Sequence, residues 1–575
     1  QWADEFDNLT GARLPGELVH KGKMEEIGWV KKIKLYKKIS RAEAKQKGIA
    51  IVPIKWVVTD KGDANKPKVR CRLVGKELRA KTKGTLLAHE LFSAMPPWES
   101  FKVLLGLLVS DDVPGLEGEE LEMAIFDISR AHFMAPMDRV ACIELPEEDK
   151  LPEDGDAVGL LLRSMYGFRT ASANWMRDWQ ATLEQAGYKV GIANPALFYN
   201  AKERCRGGVH GDDFVVVGTR QALDQMGKTL SGKYSMRESH RLGFGDHCER
   251  HAELLNRIVS VGTDSEGRRY VRIEPDIRHA ELVLRDLGLE GSKTKPLSTP
   301  GFKLDEKELA LREKEEQLDA TDATKFRSCV MRLSYLALDR ADVGEPVKCV
   351  ARSMSKPTSG SLRDLKKVAR YLLSTKHMAL HLFRQSFPSS ISTYVDSDFA
   401  GCRLSRRSTT GMVQMVGEHA VKHTSNLQGA TGLNVSECEY YALTHGAAHG
   451  LGLKAYMSDL GFEMSLKVYS DSSAARAFAS RRGLGRQRHV QTRYLWLQER
   501  VAGAHLSVQT VRTAQNPADI LTKATGRETL ERHRKTIGLR HVEVHSSQKE
   551  LRLESLEFVP AGQHHRQRDH EIQDG

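Results

Sequence analysis

The sequence has no apolar run near the roughly 20 residues that a membrane-spanning helix needs, so no membrane partner is expected. Cysteine is sparse and scattered. Its eight positions (71, 142, 205, 248, 329, 349, 402 and 438) include no Cys-x-x-Cys pair, which argues against a zinc site and against a disulfide framework. The first residues, Gln1-Trp2-Ala3-Asp4-Glu5, carry neither an initiator Met nor a signal-peptide pattern. The expectation is a piece of a longer, intracellular protein. What the chain does have is length and positive charge. At 575 residues it is too long for one core, so several domains are expected. A net charge of +12 points to a polyanionic partner, with nucleic acid the leading candidate.

The chemistry gathers on acidic residues beside apolar strands. In Val209-His210-Gly211-Asp212-Asp213-Phe214-Val215-Val216-Val217 two carboxylates head a β-branched run. Alone this is an ordinary turn sequence. Upstream, Leu121-Glu122-Met123-Ala124-Ile125-Phe126-Asp127-Ile128 is a second apolar strand, whose Asp has no Lys or Arg beside it in sequence. Two strands presenting Asp127, Asp212 and Asp213 could bind two divalent cations about 3.5–4 Å apart, as polymerases and nucleases do.

Residues 51–78 read as two strands around a polar turn, with Lys68, Arg70 and Arg72 alternating on one face. That row suits a triphosphate or a plain solvent-facing strand, and the pattern does not separate them. A charged, mostly helical stretch precedes it, including 17–36. A buried helix is expected from Trp98. The Asp127 strand is expected to continue through Phe133. An amphipathic helix is expected over 173–186, with Trp175, Trp179 and Leu183 on one stripe. Arg204-Cys205-Arg206-Gly207-Gly208 is polar and Gly-rich, a poor central strand. His247, Cys248 and His251 could hold a metal, but a plain loop is the preferred reading.

In order, these motifs resemble the reverse transcriptase of copia-type long-terminal-repeat retrotransposons. The resemblance rests on Lys55-Trp56-Val57 with Arg70-Cys71-Arg72-Leu73-Val74, on Phe92 to Ser100, and on Asp127-Ile128-Ser129-Arg130-Ala131-His132. It continues with Met165-Tyr166-Gly167-Phe168-Arg169-Thr170-Ala171-Ser172 plus Trp175, Asn194-Pro195-Ala196-Leu197-Phe198, and His210-Gly211-Asp212-Asp213. It implies that Asp127, Asp212 and Asp213 are the palm carboxylates. It also implies that Arg70 and Arg72 hold the incoming triphosphate, that His132 stands where a ring excludes a 2′-hydroxyl, and that Thr170 replaces a nucleotide-contacting Gln.

A second constellation lies further along the chain. Asp396 lies on a strand, Glu437 and Glu439 open a long helix, Asp471 ends a strand and Asp519 starts a last helix. Strand-Asp, helix-Glu, strand-Asp, helix-Asp is the layout of a ribonuclease H domain, which binds two Mg²⁺. Singly, each acid suits a helix cap or a surface charge. Of the two glutamates, Glu439 has the better register, one turn before Ala442 and Leu443. The copia resemblance extends here through Tyr394 to Gly401, Val435 to Leu443 and Ala518 to Lys523. Arg406 to Gly411 and Arg488-His489-Val490 also match, with His489 a candidate for phosphate contact.

The expected fold class is α+β: a right-hand polymerase (fingers, palm, thumb), a connection region and an α/β ribonuclease H-like domain. The expected boundaries are a helical segment over 1–50, fingers and palm over 51–235, and a thumb- or connection-like region over 236–390. The ribonuclease H-like domain comes next over 391–540, then a polar tail over 541–575 that reads as disordered. The resemblance implies Mg²⁺ or Mn²⁺, two per site. The implied partners are an RNA template, a DNA primer, an RNA–DNA hybrid and deoxynucleoside triphosphates, with integrase and protease upstream in the same polyprotein. It implies a cytoplasmic particle or the nucleus. The rival readings are a catalytically decayed, nucleic-acid-binding remnant, favoured by Thr170 and residues 204–208, and a ribonuclease H alone.

Overall fold

The computed structural model describes residues 4–62, 67–78, 87–291, 293–302, 308, 310, 312, 314–402, 405–485 and 488–542. Most of the 541–575 tail, much of the 304–318 charged run and Asp63 of the first hairpin turn lie outside these residues. The class is α+β, as expected, and the chain divides into two compact units. Among the described residues, one comprises those up to Ala94 together with Ser129–Gln185; the other comprises Met95–Ile128 and those from Ala186 onward.

The first unit contains the hairpin Ile54–Asp60/Val69–Gly75, paired so that Trp56 faces Leu73. Its second sheet runs in the order Tyr36–Ser40, Ala157–Leu161, Cys142–Glu144, Ile51–Val52. The expected helix from residue 17 is Gly16–Lys32, but it stops short of 36, because Tyr36–Ser40 pairs with Ala157–Leu161 and is a strand. The helix Ala171–Gln185 buries Trp175, Trp179 and Leu183, the predicted stripe.

The second unit is organised by three sheets. The first has six strands in the order Lys189–Val190, Leu197–Asn200, Cys205–His210, Asp213–Gly218, Glu122–Ile128, Met236–Leu242. The expected buried helix is Trp98–Leu107. The Asp127 strand does not run on to Phe133. It ends at Ile128, Arg130 takes a left-handed conformation (φ +53°), and Ala131–Met134 is a helical turn.

Residues 204–208 depart most from expectation, since Cys205–His210 is an interior strand. Its glycines are what the position needs. A Cβ on Gly207 would lie 2.4 Å from the Val215 carbonyl oxygen and 2.9 Å from the Phe198 ring. Arg206 is buried with its guanidinium 4.2 Å from the Phe462 ring centre. Close backbone approach and one cation–π contact replace the missing apolar side chains.

The second sheet orders His251–Leu254, Arg257–Thr263, Arg269–Glu274, Met378–Phe383 and Leu539–His541. The third orders His419–Leu427, Thr409–Val416, Ser390–Ser397, Ser465–Ser470 and Ser507–Thr510, antiparallel at first and parallel over its last three strands. Helix Val435–Asp459 covers one face of this third sheet. Its Gly446 and Gly450 let it sit close, because a Cβ at 446 would come within 2.3 Å of Val395 and one at 450 within 2.7 Å of Leu466. At the helix's far end the Asp459 carboxylate accepts the backbone N–H groups of Ile192 (2.8 Å), Ala193 (3.3 Å) and Asn194 (2.7 Å). Lys422 pairs with Glu99 at 2.6 Å. One continuous apolar core runs from Phe101 through Phe326 and Tyr371 to Tyr440 and Leu539. No helix among the described residues is long and apolar enough to cross a membrane.

Candidate active sites

The first site forms where two antiparallel strands place Asp213 directly opposite Asp127. His210 pairs with Asp213, so Gly211 and Asp212 make a two-residue hairpin turn. Gly211 takes φ +66° there, a conformation open to glycine at the first turn position. The Asp212 carbonyl accepts the Ile128 N–H at 3.1 Å, tying the turn to the Asp127 strand. Burial, with Asp127 and Asp212 alongside, pushes the Asp213 carboxyl up to about 6, while Arg237 pulls it down. Arg237 corrects the sequence reading of Asp127 as an acid without a basic neighbour. It comes from the adjacent strand, in register with Asp127, and its Nε lies 3.0 Å from Asp127 Oδ2.

The other residues expected at this site belong to the first unit. Arg70 and Arg72 alternate on the hairpin strand, and the Arg72 guanidinium lies 5.0 Å from the Tyr166 ring centre. Burial and the Arg72 charge lower the Arg70 guanidinium. The His132 ring stacks at a tilt 4.7 Å from Tyr166, and burial pushes it down to about 4, so it is neutral. Its Nδ1 has no hydrogen-bond partner among the described residues. Thr170 is fully enclosed, with its hydroxyl donating to Asp138 at 3.1 Å.

The second site is tighter. The parallel register of Tyr394 with Tyr469 carries Asp396 level with Asp471. Helix Val435–Asp459 brings Glu439 down onto both. One carboxylate oxygen from each of Asp396, Glu439 and Asp471 lies within 4.8 Å of the other two. Burial first, then Asp396 and Asp471, push the Glu439 carboxyl up to about 9, and its Oε2 is enclosed without a partner among the described residues. Burial likewise raises Asp396, against the Thr522 hydroxyl, which donates to it at 2.5 Å. Enclosed acids short of counter-charge suit divalent cations. Asp519 lies in the short 3₁₀ turn Pro517–Leu521, where a last helix was expected to begin, and pairs with Lys523 at 2.5 Å.

Glu437 turns the other way. It accepts from Tyr441, from Leu433 N–H at 2.8 Å and from His489 Nε2 at 2.7 Å. Burial would raise its carboxyl, but these bonds hold it below the usual range. His489 is thus placed on Glu437, half-exposed, and not on the trio.

No protein-family model matches the chain. The chain is 27% identical over 531 residues to a retrovirus-related Pol polyprotein from transposon TNT 1-94 of Nicotiana tabacum, an alignment covering 90% of this chain and 38% of that protein. It is 24% identical over 503 residues to the Pol polyprotein from transposon RE1 of Arabidopsis thaliana, covering 86% and 32%. It is 33% identical over 171 residues to the mitochondrial protein AtMg00810 of Arabidopsis thaliana, covering 30% and 68%. The chain belongs to the copia-type, retrovirus-related Pol polyproteins of transposons. It spans only about two-fifths to a third of the two transposon polyproteins. A foamy viral protease–reverse transcriptase solved with double-stranded DNA is similar at 12% identity, covering 82% of this chain and 68% of that one, with a TM-score of 0.44. A likeness so distant says nothing about the chemistry of this chain.

Sequence reasoning gave three residues of this Pol chain's sites no role. Thr522 and Lys523 close the matched stretch Ala518 to Lys523, but the sequence does not show that they bond to Asp396 and Asp519. Arg237 had no local signal, since only strand pairing brings it 110 residues back to Asp127.

Proposed function

We propose that the chain is an RNA-directed DNA polymerase with a C-terminal ribonuclease H, both working by metal-assisted phosphoryl transfer. The observation that carries this reading is the facing of Asp127 and Asp213 across paired strands, together with the convergence of Asp396, Glu439 and Asp471. Mg²⁺ or Mn²⁺, two per site, would supply activation of the attacking oxygen and neutralisation of charge on the phosphate. Asp127, Asp213 and Asp212 would hold those cations where the primer 3′-oxygen meets the nucleotide α-phosphate. Arg70 and Arg72, from a fingers segment, and His132 would serve the incoming nucleotide, whereas Thr170, enclosed and bonded to Asp138, is out of its reach; the five-part division of the chain is part of this reading.

In the nuclease site Asp396, Glu439, Asp471 and Asp519 would bind cations against an RNA strand. Thr522 fixes the orientation of Asp396 through its 2.5 Å hydrogen bond. Glu439 keeps its proton at neutral pH until positive charge arrives. Lys523 balances Asp519 from the rim. The nucleic-acid partners are an RNA template with a DNA primer, and the resulting hybrid, held by a basic chain whose binding weakens steeply with salt.

A nuclease-only reading has one observation in its favour. Arg237 already occupies Asp127, whereas no arginine contacts the nuclease trio among the described residues. The deciding experiment is primer extension on an RNA template with Mg²⁺, beside Asp212→Asn, with labelled hybrid cleavage beside Asp396→Asn. Extension lost in Asp212→Asn and cleavage lost in Asp396→Asn is the expected result. Cleavage without extension supports the nuclease alone. Neither activity from folded protein that still shifts a primer–template in a gel leaves a binding remnant.

A further inference from the structure

At the end of strand Glu122–Ile128 away from Asp127, a different donor set converges. His247 Nε2 lies 2.7 Å from Glu122 Oε1 and 3.5 Å from Cys248 Sγ, and all three donor atoms fall within 4.8 Å of one another. We propose that Glu122, His247 and Cys248 form a zinc-binding site.

Two glycines shape the place. A Cβ on Gly243 would lie 2.9 Å from Cys248 Sγ and 3.2 Å from Glu122 Cγ, and one on Gly245 would lie 2.8 Å from the His247 ring. The turn between strands Met236–Leu242 and His251–Leu254 therefore has room for these side chains only because both positions are glycine. Glu122 and Cys248 are buried, while His247 reaches the surface. That leaves a solvent-facing position for water as the fourth ligand. Arg241 holds the other Glu122 oxygen at 3.3 Å, so Oε1 stays directed at His247. His251, a companion ligand by sequence alone, is on the next strand and does not join the group.

One sulfur, one nitrogen and one carboxylate oxygen suit zinc far better than Mg²⁺, which prefers oxygen alone. A tetrahedral zinc site sets its donors roughly 3–4 Å apart. The His247–Glu122 pair has only to open by about half an ångström to reach that range. On binding, the thiol proton of Cys248 goes to solvent and the His247 ring proton moves from Nε2 to Nδ1, so that a thiolate, a neutral imidazole and a carboxylate form the Zn–S, Zn–N and Zn–O bonds. The ion would pin the 243–250 turn to the sheet that carries Asp127, and it is separate from both carboxylate clusters.

The test uses the full chain, stripped with chelator and titrated with Co²⁺ as a coloured substitute for zinc. A near-ultraviolet thiolate-to-cobalt charge-transfer band is expected. It should persist in Cys349→Ser, vanish in Cys248→Ser and be bleached by Zn²⁺. Cobalt on the carboxylate clusters gives no such band. Absence of the band from the wild-type chain, or its survival in Cys248→Ser, overturns the proposal. If Cys248→Ser fails to fold, His247→Ala at the surface decides. Zinc affinity should fall at least about tenfold, and an unchanged affinity overturns the proposal.

Discussion

The two carboxylate clusters of this Pol chain differ in how they are neutralised. In the nuclease-like site three acids from two strands and a helix converge in an enclosed spot, and the only cation in contact among the described residues is Lys523 at the rim, on Asp519. Burial first, and then the nearby charges of Asp396 and Asp471, push the Glu439 carboxyl up to about 9. In the polymerase-like site the acids share one hairpin and its neighbour, Arg237 already sits on Asp127, and Asp213 is pushed only to about 6. A site that stores unbalanced charge is poised for cations. A site with a resident arginine must release it first.

The sharpest break between the sites comes from removing a carboxylate. Asp396→Asn or Glu439→Gln should lower hybrid cleavage by on the order of 10³-fold, with extension retained in the same preparation. Loss of both together would mean that the sites are not separable.

Acidification should then act on both alike. His419 accepts from Gln385 at Nδ1 (3.0 Å) and donates from Nε2 to the Phe383 carbonyl (2.6 Å), which fixes a neutral ring. Burial pushes it down to about 4, and His381 likewise. Unfolded imidazoles take a proton near 6.5, so this stability is full above that pH and is lost as pH falls toward 4. By pH 5 each ring should cost about 2 kcal/mol. Urea unfolding across this range should show the loss, and His419→Gln should flatten it. Separate acid midpoints for extension and cleavage would show that the two sites do not share one cooperative unit.

Third, Gly446→Ala should destabilise the nuclease-like fold by about 1–3 kcal/mol, since its methyl meets Val395. Thermal melting and cleavage should fall together.

The smallest effect is expected at Arg237. Arg237→Ala removes an exposed partner of Asp127, so the Mg²⁺ needed for half-maximal extension should drop a few-fold. Weaker extension at saturating Mg²⁺ would instead make Arg237 a substrate contact.

The α+β class, the first hairpin, the helix from Trp98 and the stripe of Trp175, Trp179 and Leu183 were legible because local period and turn residues encode them. The identity of the acids was legible too, since they punctuate apolar strands. Their surroundings were not. Cys205–His210 looked too polar for a sheet interior, because the sequence does not show that Phe198 and the Val215 backbone fill the space over Gly207. The stop at Ile128 depends on one left-handed residue, Arg130, with no glycine to announce it. Arg237 on Asp127, Glu122 beside His247 and the separate duties of Glu437 and Glu439 all come from elements far apart in the chain.

The Asp459 carboxylate, which receives three N–H groups of residues 192–194, sets an order of events during synthesis. Its acceptor oxygens are made 267 residues after Ile192. At roughly 5–20 residues per second, that turn waits some ten to fifty seconds on the ribosome for its partner. A nascent chain cut short in that interval would leave three amides beside the outermost strand of the Asp127 sheet without their acceptor, an opening for chaperones and for misassembly. Completion of helix Val435–Asp459 is therefore also what completes the turn at 192–194.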